Sequence, residues 1–296
     1  MKKLIVLLGV IGVSLSAIFV RISTAPSIIL VLYRVCIASL LLSPYVFIKS
    51  RKELFELSLR DVLLCMVSGV FLGLHFTAYF TSLSFTSIAS AVVLVDTEVF
   101  FVAFGSILLL KERISKGAWG GILLTFAGSV IIAMADAGIG SDVIKGDILA
   151  FSGAFFMAVY TMIGAVCRKK ISTTVYTFLV YTSSAVTMLM ISIMKGIPLM
   201  GYDSINWISA LGMAVFCTLM GHSIFSWGLK YLPSSFISTI KLLEPVFASI
   251  LGLICLGEVP GIYVALGGII VIAGIWQYSR RARQRDVAES VTCSEV

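Results

Sequence analysis

The sequence predicts an all-α integral membrane fold: ten transmembrane helices arranged as two inverted five-helix repeats. Three observations predict it. Ten apolar stretches each approach the ~20 residues a helix needs to cross a bilayer. Of the 296 residues, 59% are hydrophobic and 12% charged, about half the charge a soluble domain carries. Finally, the second five stretches repeat features of the first five at an offset of 146 residues, which maps Glu98 onto Glu244 and Glu112 onto Glu258. Each half has an odd number of spans, so the second half enters from the opposite face, related to the first by a pseudo-twofold axis in the membrane plane.

The elements follow in order. The first span, 4–22, comes directly after Met1, Lys2 and Lys3. Its apolar run exceeds the core of a secretory signal, so it is read as a retained helix. The second, 26–48, opens at Pro26, a residue suited to a first helical turn. The third, fourth and fifth cover 62–84, 87–109 and 117–135. A polar stretch, Asp136–Asp147, leads into the sixth and seventh, 147–167 and 174–194. Pro198 falls just past that end, and the polar loop 201–206 precedes the eighth span, 206–228. The ninth and tenth are 235–256 and 261–278. Trp119, Trp207, Tyr231, Tyr263, Trp276 and Tyr278 lie near span ends, where amphipathic rings meet headgroups. The units are thus 1–136, 146–278 and a polar cytoplasmic tail, 279–296, expected to be disordered.

Charge placement sets the orientation. Of the 22 basic residues, only Arg21, Lys145 and Lys195 fall on the side away from the termini, and Arg34 and Lys241 fall inside spans. The rest cluster on the side of the termini, so both termini are cytoplasmic and the protein sits in the cytoplasmic membrane. The same clustering in short loops argues against a nucleic-acid partner despite the net charge of +7. Six scattered cysteines without C-x-x-C or histidine neighbours offer no metal site, and no cofactor is expected.

The repeat also maps Phe85 onto Tyr231, Leu83 onto Leu229, Gly121 onto Gly267 and Gly128 onto Gly274. Small residues four apart, such as Gly12/Ser16, Gly117/Gly121, Ala150/Ala154 and Ala248/Gly252, permit close backbone approach. Tight static packing explains any one pair equally well.

Further motifs accumulate: Leu-Leu-Lys-Glu-Arg at 109–113, Leu-Gly-Glu-Val-Pro at 256–260, His75-Phe76, 82–87, Leu-Lys-Tyr-Leu-Pro at 229–233 and Leu-Glu-Pro-Val-Phe at 243–247. In their order and spacing, the chain resembles the drug/metabolite transporter superfamily, EamA type, over nearly all of 4–278. The resemblance implies a midplane cavity lined chiefly by the first, third, fourth, sixth, eighth and ninth helices. It also implies alternating-access movement of small metabolites. It would make Glu112 and Glu258 structural locks, although solvated salt bridges explain Glu112 as well. The chain departs from the family pattern at Val99, where the fourth span often has a proline.

An ionisable group at mid-bilayer costs roughly 2.5–3.5 kcal/mol on insertion scales, so Arg34, His75, Asp96, Glu98, Lys241 and Glu244 should face a cavity or a partner; His222 belongs with them. Glu98 and Glu244 are the leading candidates for substrate or proton contact, the alternative being that a neighbouring base holds each in register. Lys241 stands three residues before Glu244 on the same helical face, so an internal pair is expected. Pro245 cannot donate to the Lys241 carbonyl, so the helix should kink or open there. Asp96 and Glu98 are about 200° apart around a helix, so they cannot face the same way. One of the two should meet the cavity and the other a protein partner, for which Arg34 is the candidate. His75 titrates in a useful range, but a lone intramembrane histidine is more often a hydrogen-bonded packing residue. Tyr79, Phe80, Phe156, Tyr160, Phe225 and Trp227 are candidates for an aromatic wall, or simply core.

The expected function is secondary transport of a small metabolite, an amino acid, amine or similar, with export favoured and proton coupling allowed by the acidic midline. Its partners would be that solute and the bilayer, with a homodimer compatible. The alternative is a membrane binding or sensing protein that transports nothing. No G-x-S-x-G, H-E-x-x-H or Walker loop supports an enzyme or an ATP-driven pump.

Overall fold

A computed structural model describes residues 1–86, 88–134, 142–257 and 259–294, without the side chains of 17, 88–90, 256 and 281–294. Glu258 and most of the loop beginning at Asp136 lie outside the described residues. Every regular element described is helical.

Among the described residues, ten helices are long and apolar enough to cross a bilayer. They are α1 (Lys2–Ile22), α2 (Ser27–Lys49), α3 (Leu59–Ser82), α4 (Ala91–Leu109), α5 (Lys116–Met134), α6 (Val143–Cys167), α7 (Thr173–Met194), α8 (Ser204–Gly228), α9 (Ser234–Cys255) and α10 (Ile262–Arg280). Sequence-based ends agree to within a few residues, and the largest shifts have local causes. α6 starts earlier than expected because the Asp142 side chain accepts from the Lys145 N–H, capping an extra turn. The polar tail, expected to be disordered, instead continues α10 as helix to Ser294. It contains no glycine or proline, and its first part, 280–285, is four arginines with an alanine and a glutamine, all strong helix formers.

The molecule is apolar outside and polar within. Leu108, Ile254 and Ile269 are 77%, 72% and 65% exposed, while Ser68, Ser129, Ser184 and Thr239 are fully buried. That distribution suits lipid as the surrounding solvent. Among the described residues two large apolar cores form, beside a small cluster of Val102, Ala158 and Met162. One joins α2, α3, α6, α7 and most of α8; the other joins α1, α4, α5, α9, α10 and the end of α8. Each draws on both halves of the sequence.

Glycines set the closest crossings. α5 and α10 run antiparallel: a Cβ at Gly121 would come within 2.8 Å of the Gly274 oxygen, and one at Gly128 within 2.7 Å of the Gly267 oxygen. These are the four glycines paired by the 146-residue offset, here in reciprocal contact. α1 meets α8 the same way, with Gly12 against the Phe216 oxygen (2.6 Å). Without a hydrophobic force between helices in lipid, such close backbone contact supplies the packing energy.

The face carrying the chain ends is fastened by polar contacts. The N–H and Oγ of Ser234 donate to Glu112 Oε1 (2.9 and 3.0 Å), and Ser235 Oγ donates to Oε2 (3.1 Å). Glu112 thus caps the start of α9 from the far half of the chain, acting as the lock the resemblance implied. Glu53 caps α7 similarly, accepting from Ser172 N at 2.6 Å. Arg168, only 2% exposed, donates to the Ser226 and Ile171 carbonyls and to Thr173 Oγ1. On the opposite face, fully buried Asn206 accepts from Ser23 Oγ, Thr24 N and Ala25 N (2.8, 2.8 and 2.9 Å), tying the α1–α2 loop to α8.

Candidate functional site

Among the described residues three spans are interrupted: α1 at Leu15, and α4 and α9 at mid-bilayer, the last two at repeat-equivalent positions. α4 consists of Ile88–Asp96 and Glu98–Leu109, separated at Thr97. α9 consists of Ser234–Lys241 and Glu244–Leu256, separated at Leu242 and Leu243. Pro245 at the start of the second piece explains the break in α9, as expected. No proline acts in α4. There the Thr97 hydroxyl donates to the Leu94 carbonyl at 2.5 Å, satisfying locally what the broken ladder leaves open. Each break places a glutamate in the first turn of a new helix, where the positive end of the helix dipole favours its charge.

The two glutamates then diverge. Glu98 is 7% exposed and fully engaged: Lys241 Nζ donates to its Oε1 and Oε2 at 2.7 and 2.9 Å, and Thr161 Oγ1 to Oε1 at 3.1 Å. This knot ties α4 to α9 and α6, across the two halves. The expected Lys241–Glu244 pair does not form. The i,i+3 geometry assumes a continuous helix, and the turn at 242–243 carries Lys241 toward α4 instead. The Glu244 carboxylate is half-buried and has no hydrogen-bond or ion-pair partner among the described residues; only its backbone oxygen accepts, from Ser14. It lies within electrostatic reach of Lys241, Arg34 and Glu98.

The expected ion pair of Arg34 with one of Asp96 and Glu98 does not form either. Asp96 accepts from the Ser129 hydroxyl on α5. Arg34, 3% exposed, donates from Nε to Thr218 Oγ1 at 2.6 Å and lays its guanidinium 4.9 Å from the Phe76 ring centroid. No carboxylate among the described residues lies within ion-pair distance of it. The cause is the middle of α8, where Met213–His222 is a π-helix. Thr218 Oγ1 there reaches α2, and the Thr218 carbonyl, which accepts the Ser223 N–H, also accepts from Tyr181 Oη at 3.1 Å. Such segments are frequent at functional sites.

His75 donates from Nδ1 to the Gly153 carbonyl (2.9 Å) and stacks on Tyr79 at 6.2 Å. His222, at the end of the π-segment, is 6% exposed and its Nδ1 has no partner among the described residues. Leaving such an atom open costs about 1–3 kcal/mol. Around it stand Phe76 (5.7 Å), Tyr160 (6.2 Å) and Phe225 (6.4 Å), with Lys241 Nζ 5.8 Å from the Phe225 ring. Tyr79, Phe80, Tyr160 and Phe225 therefore belong to the aromatic cluster. Trp227 does not: it lies at the end of α8 against Tyr231, 4.8 Å away. Phe156 packs instead on Phe71 at 5.9 Å.

Phe76, Thr161, Thr218 and Ser129 are the members that sequence reasoning missed as site residues. Phe76 alone carried a signal, its place beside His75. A serine or threonine within an apolar span looks the same whether it packs or binds.

The halves of the broken helices differ in burial. Ser234 to Ile240 are all buried, and Glu98, Val99, Val102, Ala103 and Ser106 are buried in the matching part of α4. Both pieces lie toward the face of the chain ends. The opposite pieces are looser: Glu244 to Ser249 are all half-buried, as are Val92 to Asp96. The fully buried run Ser234–Ile240 thus lies on the side of the termini, where α4 also presents Phe104, Leu108 and Leu109 to the outside.

Comparison with known proteins gives a consistent result. The sequence profile of the EamA-like transporter family matches residues 2–134 and 144–280. An uncharacterized transporter of Archaeoglobus fulgidus is 27% identical over 264 residues, covering 86% of this chain and 88% of its own. The pseudopaline exporter CntI of Pseudomonas aeruginosa is 24% identical over 265 residues, covering 87% and 88%. A solved crystal structure superposes with a TM-score of 0.79 at 17% identity, over 95% of this chain and 98% of that one. That likeness shows the fold alone.

Proposed function

The chain belongs to the EamA-like transporter family and is a multi-pass membrane transporter, and from that premise we propose that it moves a small metabolite, an amino acid, amine or similar solute, across the cytoplasmic membrane by alternating access. The observation that carries this reading is the pair of repeat-equivalent helix breaks, where Glu98 is locked to Lys241 across the halves while Glu244 stays open. A deep carboxylate without a protein partner needs a ligand, water or a proton. Both termini are taken as cytoplasmic, with 1–136 and 146–278 as inverted repeats. The reciprocal antiparallel contact of Gly121 with Gly274 and Gly128 with Gly267 supports that relation, because equivalent helices meet head to tail about an axis perpendicular to them.

Export is the proposed net direction, with Glu244 and Asp96 as the groups that exchange protons against solute. The Glu98–Lys241 pair and the bonds of Glu112 to Ser234 and Ser235 then hold one end of the cycle. Release of Glu98 from Lys241, and of Ser234 and Ser235 from Glu112, opens the other.

The test is flux in proteoliposomes with amino acids and their amines as solutes. Glu244→Gln should abolish proton-dependent flux while the protein stays folded. Unchanged flux in both Glu98→Gln and Glu244→Gln would remove the assignment.

A further inference from the structure

The midplane holds two open charges of opposite sign that stay apart. Arg34 uses only Nε in a hydrogen bond, so its two terminal nitrogens have no partner among the described residues. Glu244 is likewise open, and the two lie within electrostatic reach of each other. In a low-dielectric interior such charges attract strongly and would close on each other unless held. Arg34 is held: Thr218 anchors Nε and the Phe76 ring supports the guanidinium plane. The free edge of its fork is therefore fixed in direction. His222 adds an enclosed, unpartnered Nδ1 to the same ring, Phe76.

We propose that Arg34 and His222 form a carboxylate-recognising subsite, so that the transported solute is an acid or a zwitterion and not a simple amine. A planar carboxylate matches the terminal N–H groups of a guanidinium fork, and the His222 imidazole, whose Nδ1 is enclosed here, supplies a third donor once its ring turns toward the solute. Glu244 supplies the opposite pole for an ammonium group. Glu98 cannot, because Lys241 and Thr161 already occupy it. Phe76, Tyr160 and Phe225 surround His222 and offer an apolar body a surface beside the charged end.

The inference rests on the midplane being a solute site, so its test reads binding, not flux. The full chain in lipid nanodiscs is titrated with three probes of one shape: phenylalanine, 3-phenylpropionate, which lacks the ammonium, and phenethylamine, which lacks the carboxylate. Thermal stabilisation and calorimetry report binding. Phenylalanine and phenylpropionate should bind, with phenethylamine at least about tenfold weaker than phenylalanine, the size of one lost charge-assisted interaction. Arg34→Gln should weaken phenylpropionate by a similar factor, and His222→Phe by a smaller one. If Arg34→Gln does not fold, His222→Phe decides. Failure of both carboxylates to bind, amine binding as tight as that of phenylalanine, or wild-type phenylpropionate affinity in the folded variants would overturn the subsite. Carboxylate binding without flux in liposomes would uphold the subsite and defeat the transport reading instead.

Discussion

Removing Lys241 alone should harm the protein more than removing Lys241 and Glu98 together. The two side chains are 12% and 9% exposed, and their charges approach to 2.7 Å. At that separation, with an effective dielectric constant near 20, the attraction is about 6 kcal/mol. Much of it offsets the cost of taking both ions out of water, so the intact pair is worth far less than the attraction. Lys241→Met leaves Glu98 as an uncompensated buried carboxylate beside Thr161, which should cost about 3–5 kcal/mol. Glu98→Gln strands the ammonium by a similar amount. The double variant has no charge to bury and keeps similar volumes, so most of the loss should return. Reversible unfolding in mixed micelles, read by tryptophan fluorescence as a double-mutant cycle, measures this directly. Additive losses, with the double variant the least stable of the four, would refute the argument that this pair is closed at the midplane.

Glu244→Gln should change stability by less than about 1 kcal/mol, since the carboxylate has no protein partner to lose; a loss as large as that of Lys241→Met in the same micelle assay would show a hidden partner. Glu112→Ala removes three hydrogen bonds at the start of α9 and should cost about 1–3 kcal/mol. In a cysteine-free background it should also speed labelling of Ser238→Cys, now 2% exposed, by a thiol reagent applied from the face of the termini. Gly274→Ala would put a Cβ 2.3 Å from Thr125 Oγ1 and 2.5 Å from the Thr125 nitrogen. α5 and α10 must then separate, at about 1–3 kcal/mol, whereas Gly120→Ala, which meets only the end of the Gln277 side chain, should be nearly neutral in thermal melts.

Apolar length and turn chemistry gave the ten spans because both are local. The hydrophobic requirement of a bilayer acts on each segment independently of its neighbours. Pro245 announced the break in α9 for the same reason: a missing N–H is a property of one residue. The break at Thr97 was silent, since a threonine that bonds back to the preceding turn looks in sequence like any other helical threonine. The offset between Glu98 and Glu244 placed two equivalent acids at mid-span but could not say that one would be paired and the other open.

Partner choice was decided only by tertiary structure. Lys241 with Glu244, three residues away, and Arg34 with one of Asp96 and Glu98 were the expected neutral pairs, and neither formed. The turn at 242–243 redirects Lys241 across the halves to Glu98, Ser129 on α5 satisfies Asp96, and the π-segment of α8 brings Thr218 to Arg34. Buried charges take the best partner available in three dimensions, and a change of one residue per turn in a distant helix alters which partner that is. The sequence by itself determined how many times this chain crosses lipid and where ionisable groups lie in depth. Which of those groups the protein neutralises, and which it leaves for a solute, depends on contacts between helices that no local pattern encodes.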